Sequence, residues 1–364
     1  MLHALIASCL LSFAPPNPAD APAQDIDAVG DAAAVDAPAD EEPMDPAFAA
    51  MLASLSGDAQ ALLETMDEQT MDELLGNYYQ DGPLTDAQRE LAAAVSKLQI
   101  GNVDAGLNYR SGDVSVGDGL ATLHLGEAFR YLGPDDARTM IVDVWGNPPE
   151  AGQTLGMIVP TDVSPAHPVE GWGVIITYTE DGHVEDDDAE DIDYDDLLEE
   201  MQADTKSANP DRERRGFPAM TLLGWAAAPH YDKESKRLYW AKELAVDGAP
   251  EHSLNYDIRV LGRKGVLELS AIGGMSQLPT IRPQMEQVLG TVEFDAGNRY
   301  SDFDPDVDAV AAYGIGGLVA GKLLAKAGFF AVILKFLIAA KKLIIVGFIA
   351  VGVFIKKMFS RGDS

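Results

Sequence analysis

The sequence has a single cysteine, Cys9, in 364 residues. One cysteine excludes a disulfide framework and any cysteine-rich zinc or iron–sulfur site. Basic residues are also scarce, since 26 lysines and arginines face 59 aspartates and glutamates, for a formal net charge of −33. A nucleic-acid-binding surface needs a basic face, so this charge argues against nucleic acid as a partner. The sequence also holds no G-x-S-x-G, no H-E-x-x-H and no glycine-rich phosphate loop, so no catalytic signature is present.

The charge is unevenly distributed along the chain. Residues 309–364 hold eight basic residues and one acid, Asp363, whereas residues 1–308 hold 18 basic and 58 acidic residues. The C-terminal part therefore carries a net charge of +7 and the remainder −40. An acidic body joined to a basic, apolar tail is typical of a soluble module tied to a membrane.

The N-terminus begins with an apolar stretch, Met1–Ala14, which prolines and small residues follow. This pattern predicts a secretory signal segment over residues 1–22, although no lysine or arginine precedes Arg89. The alternatives are a lipoprotein cleavage box at Ile6-Ala-Ser-Cys9, for which the preceding segment is short, and an apolar run with no targeting role. Residues 23–46 are rich in alanine, proline and acids and have too little apolar surface to offset the entropy of ordering. We therefore predict a disordered acidic linker there.

The C-terminus contains three apolar blocks, Ala309–Gly321, Ala327–Ala340 and Leu343–Ile355. Each is too short to cross a bilayer alone, but residues 327–355 together would span about 43 Å as a helix. We predict a transmembrane helix over 327–355, preceded by a juxtamembrane segment over 301–326. A buried core helix, a hairpin or a surface-lying amphipathic segment is the alternative. The basic tail, residues 356–364, is predicted to be cytoplasmic by the positive-inside rule, which places the body outside the cytoplasm.

The body between these ends changes character near residue 102. Apolar residues recur at helical spacing over 47–101, where Thr85-Asp-Ala-Gln88 forms a capping-box pattern, and this predicts a small helical hairpin. Residues 102–300 show short strand signals that glycine, aspartate and proline interrupt, with Val260–Val266 as a hairpin. The strands occur in hairpin-like sequence, so we predict an α+β domain in which helices pack on the faces of an antiparallel sheet.

Several motifs carry a family resemblance. They are Trp145-Gly-Asn-Pro-Pro149, Leu155-Gly-Met-Ile-Val-Pro160, Asp188-Ala-Glu-Asp-Ile-Asp-Tyr194, Gly224-Trp-Ala-Ala-Ala-Pro-His-Tyr-Asp232, Leu238-Tyr-Trp-Ala-Lys-Glu243, Leu254-Asn-Tyr-Asp-Ile-Arg-Val-Leu-Gly-Arg263 and Ala312-Tyr-Gly-Ile-Gly-Gly-Leu-Val-Ala-Gly-Lys322. Over about residues 100–325 the chain resembles the bacterial family of predicted membrane-anchored proteins with domain of unknown function 2167. The resemblance implies an envelope protein, signal-led and C-terminally anchored, and no activity, cofactor or catalytic residue.

A second resemblance concerns the fold of the second half. Its strands and hairpin, followed by a helix that ends in Thr291-Val-Glu-Phe294, are similar to the three-layer sandwich of the photosystem-II extrinsic-protein and Ran-binding Mog class. This is an analogy of fold, which implies nothing about function.

Three groups of residues are candidate sites. His230 could act as a general base that Asp232 orients, although a structural turn histidine is the alternative. The acidic run Glu185–Glu200 holds eleven acids and no base, and Asp302–Asp308 spaces four carboxylates two residues apart. Either could bind a hard cation, but both lack the glycine and closing glutamate of a calcium loop. The ordinary alternatives are a helix start for the run and a solvated proline turn for Asp302–Asp308.

Aromatic and basic residues of the body are ambiguous in the same way. The four tryptophans, Trp145, Trp172, Trp225 and Trp240, could line a cleft, but packing is the commoner role. The arginines Arg212, Arg214, Arg215, Arg259 and Arg263 could hold an anion, but ion pairs with acids of the body are expected.

We therefore assign no residue to a catalytic, cofactor or metal site. The sequence favours a non-enzymatic binding module of the envelope, anchored in the bacterial inner membrane by one C-terminal span with its main domain in the periplasm. The alternative is an envelope hydrolase or metal-dependent enzyme that uses His230 and Asp232 or the acidic run, residues 185–200.

The C-terminal segment has features beyond those of a plain anchor. Gly317 and Gly321 lie four residues apart, which permits close helix contact, and Lys335, Lys341 and Lys342 interrupt the apolar zone. The lipid bilayer is the expected partner, with self-association or a protein partner through residues 309–342. Lysines that snorkel to the headgroups are the alternative.

Overall fold

Four helices open residues 44–320, which are the residues that the structure, a computed structural model, describes. They are α1 (Pro46–Ser54), α2 (Gly57–Thr65), α3 (Glu68–Tyr79) and α4 (Asp86–Gly106). The residue before each helix accepts a backbone hydrogen bond through its side chain, which satisfies N–H groups that a helix start leaves unpaired. The capping box of Thr85 and Gln88 is confirmed.

The predicted helical hairpin was wrong in its number of helices. Short breaks at Leu55 and Met66 divide the segment, because both residues adopt extended backbone angles. The side chains of Leu63 and Leu91 are buried in a common apolar cluster that all four helices share.

The strands and the remaining helices follow in the α+β order predicted. The strands are β1 (Tyr109–Arg110), β2 (Asp113–Val116), β3 (Ala121–His124), β4 (Phe129–Leu132), β5 (Gly156–Pro160), β6 (Gly173–Thr179), β7 (Met220–Asp232), β8 (Arg237–Val246), β9 (Ser253–Leu261), β10 (Val266–Gly274) and β11 (Val292–Phe294). The helices are α5 (Pro134–Arg138), which a π-helical turn (Thr139–Val144) continues, α6 (Tyr194–Arg214), α7 (Leu278–Thr291) and α8 (Ile315–Ala320).

The described residues form two compact units. Unit 1 comprises residues 44–177 and 270–293, and unit 2 comprises residues 178–269 and 294–320. In unit 1 the strands β1, β4, β5 and β6 are neighbours in that order, with Phe129 opposite Pro160 and Gly156 opposite Ile176. In unit 2 the strands β10, β9, β8 and β7 are neighbours in that order. Antiparallel pairing joins β1 with β4, β2 with β3, β4 with β5, β5 with β6, β7 with β8 and β8 with β9, which confirms an α+β fold with an antiparallel sheet.

The predicted hairpin between β9 and β10 is confirmed by a hydrogen bond of 2.8 Å from the Gly262 N–H to the Gly265 carbonyl. Gly265 is required there, because a Cβ atom at this position would lie 2.0 Å from the carbonyl oxygen of Thr179. Strand β7 is 13 residues long, and irregular pairing with β8 bends it.

The core of unit 2 contains a segment that the sequence analysis assigned to the membrane-proximal region. Trp240 of β8 is 1% exposed and packs in one cluster with Tyr313, Ile315 and Leu318. Gly317 is also buried. The apolar, small-residue stretch Ala311–Val319 therefore contributes to the core of unit 2.

Within residues 44–320, no helix has both the length and the apolar character needed to cross a bilayer. The predicted signal segment (1–22), the predicted transmembrane helix (327–355) and the basic tail (356–364) lie outside the described residues, as does the predicted linker up to residue 43.

Candidate functional site

The acidic run of unit 2 is tied into the fold by specific partners. Asp186 Oδ2 accepts hydrogen bonds from Tyr231 Oη at 2.8 Å and from Lys236 Nζ at 2.7 Å. Burial opposes ionisation of Asp186, but the hydrogen bonds from Lys236 and Tyr231 outweigh it and hold its pKa below the usual value. Burial, together with the bond to Asp186, raises the pKa of Tyr231. Asp186 is therefore a charged residue with a structural role, which these two hydrogen bonds stabilise.

Two further acids of the run satisfy backbone N–H groups. Asp193 Oδ1 accepts from the N–H groups of Asp195 and Asp196 at 3.0 and 3.1 Å, which caps α6. Asp188 Oδ1 accepts from the Ile315 N–H at 3.0 Å, at the start of α8. Gly314 permits that approach, since a Cβ there would lie 2.2 Å from a carboxylate oxygen of Asp188. The helix start expected as the ordinary alternative for the run is therefore found at α6.

The alternating acids of Asp302–Asp308 point to different partners. Asp308 accepts from Arg263 Nε at 2.6 Å and from its Nη2 at 3.1 Å, and the hydrogen bond to Arg263 lowers the pKa of Asp308. Asp302 Oδ2 accepts from the N–H groups of Gly297 and Arg299. Within residues 44–320, no group of three or more histidine, cysteine, aspartate or glutamate side chains is placed to hold a metal ion. The two acidic candidates are thus used in ion pairs, caps and turns.

His183 lies beside this loop in the core of unit 2. Its ring stacks on Phe303 at 3.9 Å between centroids and lies 4.2 Å from Tyr300. Burial lowers the pKa of His183, which disfavours its charged form. His183 also joins the backbone of residues 309–311, because its N–H donates to the Ala309 carbonyl and its carbonyl accepts from the Ala311 N–H.

His230 and Asp232 lie near the end of β7, where Asp232 serves the turn into β8. Its Oδ1 accepts from the Glu234 N–H at 2.9 Å, and its Oδ2 accepts from Ser235 Oγ at 2.6 Å. The Ser235 hydroxyl lowers the pKa of Asp232 more than any other group does. His230 is exposed, and its ring lies 5.1 Å from Tyr239. This geometry matches a turn better than an orienting carboxylate for a general base.

The tryptophans have packing roles. Trp172 and Trp240 are 2% and 1% exposed. Trp145 Nε1 donates to the Pro165 carbonyl, and Trp225 Nε1 donates to the Tyr194 carbonyl.

Most of these arginines form ion pairs. Arg214 and Arg215 lie 2.7 and 3.9 Å from Asp211, and Arg259 lies 2.9 Å from Glu268. Arg212 Nε instead donates to the Pro218 carbonyl. The ion pairs predicted for the arginines are therefore confirmed for Arg214, Arg215, Arg259 and Arg263.

An open groove in unit 1 is a site that the sequence analysis missed. It has a volume of about 660 Å³ and lies where the end of α3 and the start of α4 meet the loop at residues 165–170. Its lining consists of aromatic rings and charged groups: Tyr78, Tyr79, Asp81, Asp86, Arg89, Glu90, Ala93, His167, Val169 and Glu170. The volume is within the range of about 300–1,000 Å³ that is typical of ligand pockets.

A hydrogen bond and two edge-on ring contacts connect the aromatic residues that line the groove. Tyr79 Oη and Ser96 Oγ are 2.5 Å apart, and burial raises the pKa of Tyr79. The ring of Tyr78 meets the ring of Tyr79 edge-on at 5.4 Å, and the ring of Tyr79 meets His167 edge-on at 6.0 Å. The Tyr79 hydroxyl is therefore bonded to α4, while its ring lines the groove.

The loop side of the groove is ordered by its own backbone. His167 Nδ1 accepts from the N–H groups of Val169 and Glu170 at 3.3 and 3.0 Å, so the neutral ring carries its hydrogen on Nε2. That nitrogen lies 3.8 Å from Glu170 Oε2. Gln277 Nε2 donates to the Glu170 carbonyl at 2.8 Å, and a Cβ at Gly171 would lie 2.4 Å from the His167 carbonyl oxygen. These bonds order the backbone of the loop, from which the Glu170 side chain extends with 72% of its surface exposed.

The carboxylates that line the groove differ in their hydrogen-bond partners. Glu90 accepts from the Ser56 N–H at 2.7 Å and from Ser56 Oγ at 2.6 Å, and the Ser56 hydroxyl is the largest influence that lowers its pKa. Asp81, Asp86 and Arg89 are exposed. No local pattern predicted this site, because its two sides are more than 70 residues apart in sequence.

Two solved structures are distantly similar to this chain. A solution structure of cyanobacterial PsbP (CyanoP) from Synechocystis sp. PCC 6803 is similar at 13% identity, over 52% of this chain and 92% of that one, with a TM-score of 0.28. The 1.9 Å crystal structure of the Ran-binding protein Mog1p from Saccharomyces cerevisiae is similar at 9% identity, over 54% of this chain and 100% of that one, with the same TM-score.

No curated protein matches the sequence. The family expected from the motifs matches residues 108–352, about two thirds of the chain. The chain therefore belongs to the family described as protein of unknown function DUF2167.

Proposed function

We propose that this protein is a membrane-anchored binding module of the bacterial envelope, with its α+β body in the periplasm and its basic C-terminus in the cytoplasm. The acidic body, the apolar residues 327–355 and the lysines Lys356 and Lys357 support the anchor and its orientation.

The groove of unit 1 is the observation that carries the binding function. It is concave, its aromatic wall is fixed by the bond between Tyr79 and Ser96, and its charged groups face a common space. Preorganised surfaces of this kind bind well, because little side-chain freedom is lost when a partner arrives. The carboxylate of Asp232, by comparison, is occupied by a turn. Binding therefore accounts for the geometry better than hydrolysis does.

The proposal includes a partner for the C-terminal apolar segment. Gly317 belongs to the core of unit 2, so it is not a free helix-contact residue. Self-association or a protein partner through residues 309–342 would then depend on the part after Ala320, where Lys335, Lys341 and Lys342 interrupt the apolar sequence.

Cysteine labelling tests the topology. In a Cys9→Ser background, Leu223→Cys supplies a thiol at a position that is 42% exposed on β7, and Ser364→Cys supplies one at the C-terminus. We expect a membrane-impermeant maleimide to label Leu223→Cys once the outer membrane is opened. It should label Ser364→Cys only after the inner membrane is disrupted. The reverse pattern, or equal labelling of both before disruption, contradicts the proposed topology.

A further inference from the structure

We propose that the groove of unit 1 binds an extended peptide segment that carries lysine or arginine side chains. This inference rests on the proposed binding function and names the class of its partner. It follows from the charge, the aromatic wall and the size of the groove.

The charge of the groove is complementary to a cation. Asp81, Asp86, Glu90 and Glu170 line it, against the single guanidinium of Arg89. Within residues 44–320, no lysine or arginine forms an ion pair with Asp86 or Glu170. These two carboxylates lie on opposite sides of the groove, one at the start of α4 and one on the loop. A basic side chain between them would gain charge-assisted hydrogen bonds that the protein itself does not supply.

The aromatic wall suits the same ligand. Tyr78, Tyr79 and His167 form a chain of edge-on ring contacts along the groove. Ammonium and guanidinium groups are attracted to the faces of tyrosine rings, and their aliphatic stems pack against apolar surface. Ala93 and Val169 add such surface. The lining thus matches both halves of a lysine or arginine side chain.

The size and openness of the groove favour a peptide over a small amine. A volume of about 660 Å³ exceeds what one amine fills, and the groove is open to solvent. The acidic part of the chain, with a net charge of −40 over residues 1–308, would also draw a basic partner toward it before contact. Surface charge alone would draw any cation, so the test has to separate the groove from the rest of the acidic surface.

A peptide titration with the full chain in mild detergent makes this separation. The probe is a fluorescein-labelled hexapeptide with three lysines, and its match is the same peptide with all three lysines acetylated, which removes their charge. We expect the charged peptide to bind about tenfold more tightly than the acetylated one, a difference in line with charge pairs across an interface. Asp86→Asn with Glu170→Gln should reduce its affinity about tenfold. Tyr78→Leu should reduce it about threefold to fivefold.

The control is a variant with the same change in net charge elsewhere. Glu64 on α2 and Glu286 on α7 are both exposed and lie outside the groove. Glu64→Gln with Glu286→Gln should leave the affinity within about twofold. Equal loss in the groove and control variants, or equal binding of the charged and acetylated peptides, overturns the inference. The inference also fails if spermidine displaces the peptide at equal molar concentration, since a small amine would then suffice.

The outcomes separate this inference from the proposed function. If the chain shows the expected labelling topology but does not bind the peptide, the basic ligand is rejected and the anchored body is retained. If the chain shows the reverse topology but binds the peptide through Asp86 and Glu170, the periplasmic placement is rejected and the basic ligand is retained.

Discussion

Asp257→Ala should destabilise unit 2 by about 3–5 kcal/mol, the usual cost of removing one partner from a buried ion pair. The side chain of Asp257 is 5% exposed, and its oxygens lie 3.0 Å from Lys242 Nζ and 3.5 Å from Arg259 Nη1. Arg259 also meets Glu268 at 2.9 Å. Without Asp257, Lys242 would lose this carboxylate and Arg259 would keep Glu268, although both cations are mostly shielded from water. The free energy of unfolding in urea, followed by tryptophan fluorescence, measures the loss.

A control for this substitution lies on the neighbouring strand. Glu243 of β8 pairs with His252 at 2.7 Å, but both side chains are well hydrated, at 33% and 50% exposed. Glu243→Ala should therefore cost no more than about 1 kcal/mol, as for surface pairs in general. If the two substitutions cost the same, the network around Asp257 is not the buried, interdependent one described above.

Ile315→Ala should cost about 2–5 kcal/mol in the same urea experiment, because it removes methylene groups from a packed core. Ile315 is fully buried at the start of α8, and its N–H is held by Asp188. The matched control is Val310→Ala, since Val310 is 44% exposed and should cost within about 0.5 kcal/mol. A negligible cost at Ile315 would mean that this segment lies outside the body, as expected of a membrane-proximal element.

The burial of Ile315 in the core of unit 2 could not be predicted from the sequence. An apolar, glycine-rich stretch before a longer apolar run is equally compatible with a membrane-proximal helix and with a buried core segment. The deciding contacts come from far away in sequence. Asp188 binds the Ile315 N–H across 127 residues, and Tyr313 Oη donates to Asp181 across 132 residues. Such pairs leave no periodic signature.

Local features of the fold could be predicted from the sequence. The capping box at Thr85, the glycine turn between β9 and β10, and the antiparallel class all depend on residues close together in the chain, and each is confirmed. The number of N-terminal helices was missed although local signals were present. Ser56-Gly57 follows the break at Leu55, Asp67 follows the break at Met66, and both Ser56 and Asp67 cap the next helix.

The groove could not be found from the sequence for a related reason. Tyr78 and Tyr79 lie at the end of α3, and His167 and Glu170 lie on a loop more than 70 residues later. No local sequence pattern reveals that these two surfaces line one space. The residues that attracted attention as chemistry, Asp186, Asp188 and Asp232, instead proved to be partners of hydroxyl, ammonium and backbone N–H groups.

Hydrogen exchange of the full chain, with and without the charged lysine peptide, tests the central claim most directly. Binding in the groove should slow exchange at the start of α4 and in the loop at residues 165–170, since both line the site. The acetylated peptide should leave both segments unchanged. Protection that appears instead around residues 185–200 of unit 2, or in neither segment at a saturating concentration of the charged peptide, would contradict the account.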